Sequence, residues 1–432
     1  MASLDLGRPI QTLVLAFAAW KAFLLLVAIG SSVGSAYDTS TTLIQHQATS
    51  YNESVLDIST KLTRWDAIYF IQSARRGYVF EQEWAFGLGL PTTISAIVKV
   101  FNKLGIEGSD ALEPLIGVGI SHLAHLLSVL ALYRLGLRLY SQQTAVIAAL
   151  LHIISPAGLF LSAPYNEAPF SFLTFSGFLL FSYGCLDRSR GFLGDAAIVG
   201  SGMVLGLATT FRSNGILNGV PFAAYAISEL TSVLKSPNAF SLRRLAALGI
   251  GGQYIAMGSI GPQVLAYQSF CSGSSASDPR PWCNAWLPSI YTFVQERYWN
   301  VGFLRYWVPG NIPLFLLASP MIYLLSKSGW SVLGESVMEI KNPKSPAAAF
   351  SGASLFVAAM AFSQLLLAGA AVTTYHIQVI TRLSSAYPLW YFWLAQQLGQ
   401  ADTSKRAGAI VMYMVMYATI QGVLFASFLP PA

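Results

Sequence analysis

Apolar residues run in blocks along this chain, separated by short polar stretches and by two long ones. Crossing a bilayer takes about 20 predominantly apolar residues. Runs of that order predict eleven transmembrane helices, over residues 10–30, 113–133, 143–161, 167–186, 194–211, 215–233, 245–268, 310–326, 350–371, 386–399 and 408–428. A further run, Gly87 to Val100, is shorter and contains Pro91, with Lys99 and Lys103 at its end. It is read as an interfacial or re-entrant helix. The first run is longer than a signal-peptide core and is read as an uncleaved anchor, although Gly34-Ser35-Ala36 could mimic a cleavage site. No fixed-period repeat or low-complexity tract interrupts the pattern. The predicted fold class is an all-α, polytopic transmembrane bundle forming one domain over residues 1–432.

Composition agrees. Hydrophobic residues make up 54% and charged residues 10%, whereas a soluble domain carries about 25% charged residues to face water. The net charge of +6 is small for 432 residues and comes with no basic run, so nucleic acid is not an expected partner. Lys and Arg serve instead to orient the bundle. With a cytoplasmic N-terminus, one side receives short loops holding Arg134, Arg138, Arg188, Arg190, Lys235, Arg243, Arg244, Lys327, Lys341, Lys344, Lys405 and Arg406. That is the positive-inside pattern. The other side receives two long loops, 31–112 and 269–309. The first carries an Asn52-Glu53-Ser54 sequon, a candidate N-glycosylation site that suits a lumenal position. In the second, Cys271 and Cys283 could form a disulfide if that loop faces an oxidising compartment, and Cys185 sits in an apolar run. No cysteine or histidine spacing resembles a metal site.

Four polar clusters fall on the lumenal side. Arg64-Trp65-Asp66 precedes Glu81-Gln82-Glu83-Trp84: a carboxylate beside an aromatic ring suits a base over a sugar platform, or Asp66 simply caps a helix. Tyr165-Asn166-Glu167 lies between two spans, where Glu167 could contact substrate or complement a helix N-terminus. Arg212, at membrane depth, suits a phosphate, with an ion pair to Glu167 as the structural alternative. His376 and Arg382 stand six apart, so both reach one ligand only if their segment bends. The loop through Trp299 and Asn300 is aromatic and charged, as an interfacial belt would be, and Lys21 either snorkels or pairs inside the bundle.

Five ordered stretches carry a family resemblance: WDAIYF with GYVFEQEWAF; SAPYNEAPFSFLTFS; RSNG; PWC with YTFVQERYWNVGFLRYW and LFLLASP; and YHIQVITRLSS. Together they resemble the PIG-V family, which adds the second mannose in glycosylphosphatidylinositol (GPI) assembly, and the chain looks like a fungal member. Two stretches depart from the family pattern: Gly87-Leu88-Gly89-Leu90-Pro91 stands where relatives tend to continue Phe-Phe-Pro, and Ala386-Tyr387 softens a Ser- and Pro-rich run. The resemblance implies a GT-C-like, inverting α1,6-mannosyltransferase of the endoplasmic reticulum membrane, with a lumenal site. It implies dolichyl-phosphate-mannose as donor, a mannosylated GPI precursor as acceptor, and neither cofactor nor metal. Asp66 matches the family's acidic position, with Glu83 second. Arg212, Arg382 and His376 are then donor-phosphate candidates. Trp65, Glu83, Tyr165, Asn166, Glu167, Trp299 and Asn300 are candidates for the acceptor and sugars. Bilayer lipids surround the bundle, and a small membrane accessory subunit fits such an enzyme. The competing readings are a transporter or flippase, and a GT-C transferase with another acceptor.

Overall fold

The structure, a computed structural model, describes residues 7–31, 35, 37, 40–41, 53–105, 111–272, 280–341 and 352–430. Among them there is no β-strand. The helices are α1 (Pro9–Gly30), α2 (Glu53–Leu62), α3 (Asp66–Arg76), α4 (Gly89–Lys103), α5 (Leu112–Leu139), α6 (Gln142–Ile153), α7 (Glu167–Cys185) and α8 (Gly191–Phe211). After them come α9 (Val220–Lys235), α10 (Ala239–Cys271), α11 (Ile290–Arg297), α12 (Ile312–Lys341), α13 (Ala353–Thr373), α14 (Ile380–Leu383), α15 (Pro388–Gly399) and α16 (Ser404–Ala426). Asn52, the glycosylation candidate, lies outside the described residues.

Each of the eleven apolar runs contains a helix, but the expected eleven spans are not all matched by length and apolarity. Among the described residues seven helices satisfy both: α1, α5, α7, α8, α12, α13 and α16. The runs at 143–161, 215–233 and 386–399 give α6, α9 and α15, of 12, 16 and 12 residues. At 1.5 Å per residue the shorter two reach roughly 18 Å, little more than half of a ~30 Å hydrocarbon core. Proline sets these limits: Pro156 follows α6, and Pro221 and Pro388 open the other two. From Ala145 on, α6 is buried except for Leu150, as is most of the first half of α15, so protein rather than lipid surrounds those stretches. The fourth run, 245–268, belongs to the 33-residue α10, long enough but interrupted by polar residues including Gln253 and Gln263. Helix α4, the doubtful run, has 15 residues and buries Leu90, Pro91 and Ile94 on one side. It is too short to span.

The core is aromatic. Phe175, Phe178 and Phe181 of α7 pack with Phe356 of α13 and Trp390, Tyr391 and Phe392 of α15. A second cluster, with Phe70, Phe160, Tyr165, Phe170, Phe211 and Phe425, lies where α3 meets the ends of α7 and α8. Helices α8 and α10 approach through glycines. A Cβ on Gly206 would strike the Tyr254 carbonyl, and one on Gly258 the Gly206 carbonyl. Small residues at such crossings let backbones touch, which is how membrane helices gain packing where hydrophobic burial gives little. At the start of α8, Asp195 pairs with Arg243, while Glu229 of α9 pairs with Arg244 at 3.2 Å. Lys21 is buried, its ammonium donating to the Leu161 carbonyl (2.8 Å) and the Ser162 hydroxyl (2.7 Å). It pairs inside the bundle instead of snorkelling.

Gly87 fixes how the first long loop meets α8. Its φ of +84° is costly for any residue with a side chain, and a Cβ there would lie 2.5 Å from the Phe211 carbonyl oxygen and 2.8 Å from that of Thr210. The Leu88 amide donates to the same Thr210 carbonyl at 2.9 Å. Gly87→Ala is therefore expected to destabilise the protein by about 2–4 kcal/mol, combining backbone strain with overpacking. A lower melting temperature in detergent would show it. An unchanged one would mean that this junction yields freely.

Candidate functional site

Helix α3 begins at Asp66, and the residue before it is strained. Trp65 has φ +55°, a left-handed conformation unusual for a bulky residue. Its ring is held between Tyr37 and Phe428, each 5.2 Å away. Strain of this kind persists only where surrounding packing over-determines it, and here it sets Asp66 at the first turn of α3. Tyr165 assists from beneath: fully buried, it donates its hydroxyl to the Arg64 carbonyl at 2.9 Å.

Asp66 faces Arg382, 316 residues away in sequence, with Oδ2 accepting from Nη1 at 2.9 Å. The predicted bend is present: residues 377–379 and 384–386 are 3-10 turns flanking the four-residue α14, so His376 and Arg382 turn into one space. The Arg382 guanidinium lies over Phe160 (4.5 Å) and Tyr165 (5.6 Å). Burial works against its charge, but Asp66, Glu167 and Tyr165 hold it above its ordinary value. Glu167, with no side-chain exposure, sits between two cations: Oε1 is 2.6 Å from Arg212 Nη1 and 3.7 Å from Arg382 Nε. Two carboxylates and two guanidiniums thus form one chain, Asp66–Arg382–Glu167–Arg212.

The chain borders a cavity of about 690 Å³. Trp65, Asp66, Asn166, Arg212, Trp299, His376 and Arg382 line it. Among the described lining residues Asp66 is the sole carboxylate, and Arg212 and Arg382 are the sole arginines. Asn166 staples two of its borders, its amide donating to the Phe86 and Phe211 carbonyls, each at 2.7 Å. An aromatic wall follows: Tyr69 stacks on Phe86 (4.6 Å), Phe86 meets Trp299 edge-on (5.5 Å), and His376 lies between Trp299 (6.3 Å) and Tyr306 (5.0 Å).

Four sequence candidates lie outside the lining. Tyr165 and Glu167 lie behind it, holding Arg64, Arg382 and Arg212. Glu83 is 2% exposed and is occupied locally: it pairs with Arg76 and accepts the amides of Val79 (2.8 Å) and Phe80 (3.0 Å). That is a capping role, legible from a Glu at the third position of a helical turn. Asn300 is exposed, turning the chain after Trp299 with φ +50°. Cys271 and Cys283 are joined in a disulfide. Beside it Trp282 donates to Glu81 Oε1 at 2.8 Å and Tyr298 to Glu81 Oε2 at 2.9 Å, clasping the second long loop to the first. Gln263, Gln295, Gln378 and Tyr291 also line the cavity. Gln263 gave no sequence signal as a site residue, because it falls inside an apolar run. No cluster of three or more His, Cys, Asp or Glu suited to a metal occurs among the described residues.

Burial lowers the His376 imidazole below its ordinary value, Asp66 pulling it up and Arg382 pushing it down. An unfolded histidine titrates near pH ~6.5. Between the folded value and that pH the unfolded chain binds more protons, so stability rises with pH there and levels off above. Melting temperature should therefore be flat above about pH 7 and fall on acidification, with a shallower fall in His376→Asn.

A bundle of apolar helices thus gathers a carboxylate, two guanidiniums and an aromatic wall around one cavity. Comparison with known proteins gives its family. The chain belongs to the PIG-V mannosyltransferase family, whose model, described as Mannosyltransferase (PIG-V), matches residues 13–432. It is 48% identical to GPI mannosyltransferase 2 of Chaetomium globosum, over 98% of this chain and 97% of that one. It is 33% identical to GPI alpha-1,6-mannosyltransferase 2 of Mus musculus, over 80% and 74%. Among solved structures, it is similar to the Archaeoglobus fulgidus oligosaccharyltransferase AglB in complex with an inhibitory peptide and a dolichol-phosphate. There the TM-score is 0.46 and the identity 12%, covering 98% of this chain and 56% of that one. The chain thus spans about half the length of that structure.

Proposed function

We propose that the protein transfers mannose from dolichyl-phosphate-mannose to the first mannose of a GPI precursor, forming an α1,6 bond at the lumenal face of the endoplasmic reticulum membrane. The observation that carries the chemistry is Asp66, the sole carboxylate among the described residues of the cavity lining, bonded to an arginine. The acceptor and linkage rest on the relatives' names, GPI mannosyltransferase 2 and GPI alpha-1,6-mannosyltransferase 2.

The donor is β-linked and the product α-linked, so a single displacement inverts the anomeric carbon. The acceptor 6-hydroxyl oxygen bonds to that carbon while its proton passes to Asp66. The bond from carbon to phosphate oxygen breaks, and dolichyl phosphate leaves with the electron pair. Arg382 and Arg212 neutralise the departing anion, since guanidiniums match phosphate bidentately. Charge fixed in advance in a water-poor site is usually the largest catalytic term. These arginines supply the charge a metal would otherwise bring, so transfer should survive EDTA.

The test is to incubate purified protein with dolichyl-phosphate-mannose and mono-mannosylated GPI precursor, then read product mass and linkage. A single added α1,6-mannose is expected. Movement of the lipid across a vesicle membrane without a mannosylated product would favour the transporter reading, and a product on another lipid-linked sugar would move the acceptor.

A further inference from the structure

Part of the cavity wall is shared between two loops that are far apart in sequence. The first long loop supplies Trp84, Ala85, Phe86 and Gly87, and the second supplies Ser289, Tyr291, Gln295 and Trp299. Phe86 and Trp299 meet edge-on at 5.5 Å, so their contact crosses the seam between the loops. Tyr69, stacked on Phe86, carries that contact to the helix that begins with Asp66. The seam therefore borders the reaction centre.

One carboxylate joins its two sides. Glu81 opens the 3-10 turn Glu81–Phe86 and is 4% exposed. A buried carboxylate is costly unless its oxygens are paired and hydrogen-bonded. Residues of the second loop do this for Glu81. Oε1 accepts from Trp282 Nε1 at 2.8 Å, and Oε2 accepts from the Tyr298 hydroxyl at 2.9 Å, with Arg280 Nη1 3.2 Å away. Trp282 and Tyr298 stand 201 and 217 residues from Glu81 along the chain. Glu83 is buried too, yet its partners are its neighbours Arg76, Val79 and Phe80. Trp84, Ala266, Trp282, Ile290 and Val294 form an apolar cluster across the same seam, and low local polarity strengthens the hydrogen bonds beside it. Two further links complete the path. The Cys271–Cys283 disulfide ties Trp282 to the end of α10, and Tyr298 directly precedes Trp299, whose ring meets Phe86 and His376. Glu81 itself stands outside the described cavity lining, so its influence passes through these neighbours.

We infer that Glu81 is a positioning residue: through Trp282 and Tyr298 it sets Trp299 against Phe86 and holds the aromatic wall at the spacing that transfer requires. Hydrogen bonds fix direction as well as distance, which apolar contact between two loops does not. The inference rests on the mannosyl-transfer reading above.

A double-mutant cycle on the full-length enzyme tests it, with kcat/KM for mannosyl transfer as the readout. Glu81→Ala is expected to lower kcat/KM by about tenfold or more, the scale of lost hydrogen bonds to a charged group. Trp299→Leu should cost a similar factor. The double variant should lose no more than about twofold beyond the worse single, because residues that act through one another are not additive. Glu83→Ala, whose bonds do not cross the seam, should instead multiply with Trp299→Leu. Glu81→Gln keeps an oxygen for Trp282 and an amide that the Tyr298 hydroxyl can bond, so it should recover most of the rate. If Glu81→Ala fails to fold, Tyr298→Phe removes one donor from a half-exposed ring and enters the same cycle, with a loss of about threefold or more expected. A rate within about twofold of wild type, or a loss that multiplies with that of Trp299→Leu, overturns the assignment. Wild-type protein that adds no mannose overturns the reaction instead. Amide hydrogen exchange then decides: faster exchange at residues 298–301 in Glu81→Ala or Tyr298→Phe supports the clasp, and unchanged exchange there overturns it.

Discussion

Asp66→Asn is expected to lower mannosyl transfer by about 10²–10⁴-fold, the usual worth of a positioned general base. The substitution keeps shape and keeps an oxygen for the Arg382 Nη1 donor, now 2.9 Å from Asp66 Oδ2. What it removes is the capacity to take a proton from the attacking hydroxyl. No second carboxylate among the described residues of the lining stands ready to replace it, since Glu167 lies behind the arginines without side-chain exposure. The Asp66 side chain is one-third exposed, so stability should change by no more than about 1 kcal/mol. Initial rates and a melting curve on the same preparation separate the two effects. Near-normal transfer by the Asn variant would remove Asp66 as the base.

The second large effect is expected at Arg382. Among the described residues it is the one guanidinium that touches both Asp66 and the buried Glu167, and its charge lies over two rings. Arg382→Ala should cost about 10²–10³ in kcat, comparable with losing one preorganised group that stabilises developing charge. It should also cost stability on the order of 3 kcal/mol, because Glu167 would keep Arg212 alone as its ionic partner. Arg382→Lys restores charge but not the planar fork, so it should recover most of the stability and only part of the rate. Equal recovery of both would mean that Arg382 serves folding and nothing more.

How far these features could be read from sequence depends on the range of the physics involved. Apolar runs are local, so a helix appears in each of the eleven. Whether a run crosses the bilayer depends on what surrounds it, and α6 and α15 are short helices that protein encloses. Asp66, Arg212, His376 and Arg382 stood out because charge beside apolar runs is costly, and the structure brings all four to one cavity. Glu167 stood out for the same reason, yet only folding reveals that it spaces two arginines. Glu83 lies outside the lining, because a buried carboxylate can be taken up by its own turn, here by Arg76 and the amides of Val79 and Phe80. Gln263 was silent, since one amide in an apolar run perturbs hydropathy little and its oxygen is claimed by partners 26 and 28 residues away.

The 316-residue interval between Asp66 and Arg382 has a consequence for biogenesis. Synthesis proceeds at roughly 5–20 residues per second, so the carboxylate leaves the ribosome about 16–60 s before its counter-ion. Throughout that interval the nascent chain carries Asp66 without Arg382, Glu167 joins it partway, and any chain terminated before residue 382 lacks the counter-ion altogether. Insertion of the early helices therefore cannot complete the Asp66–Arg382–Glu167–Arg212 chain, which closes only once residue 382 of 432 has been made.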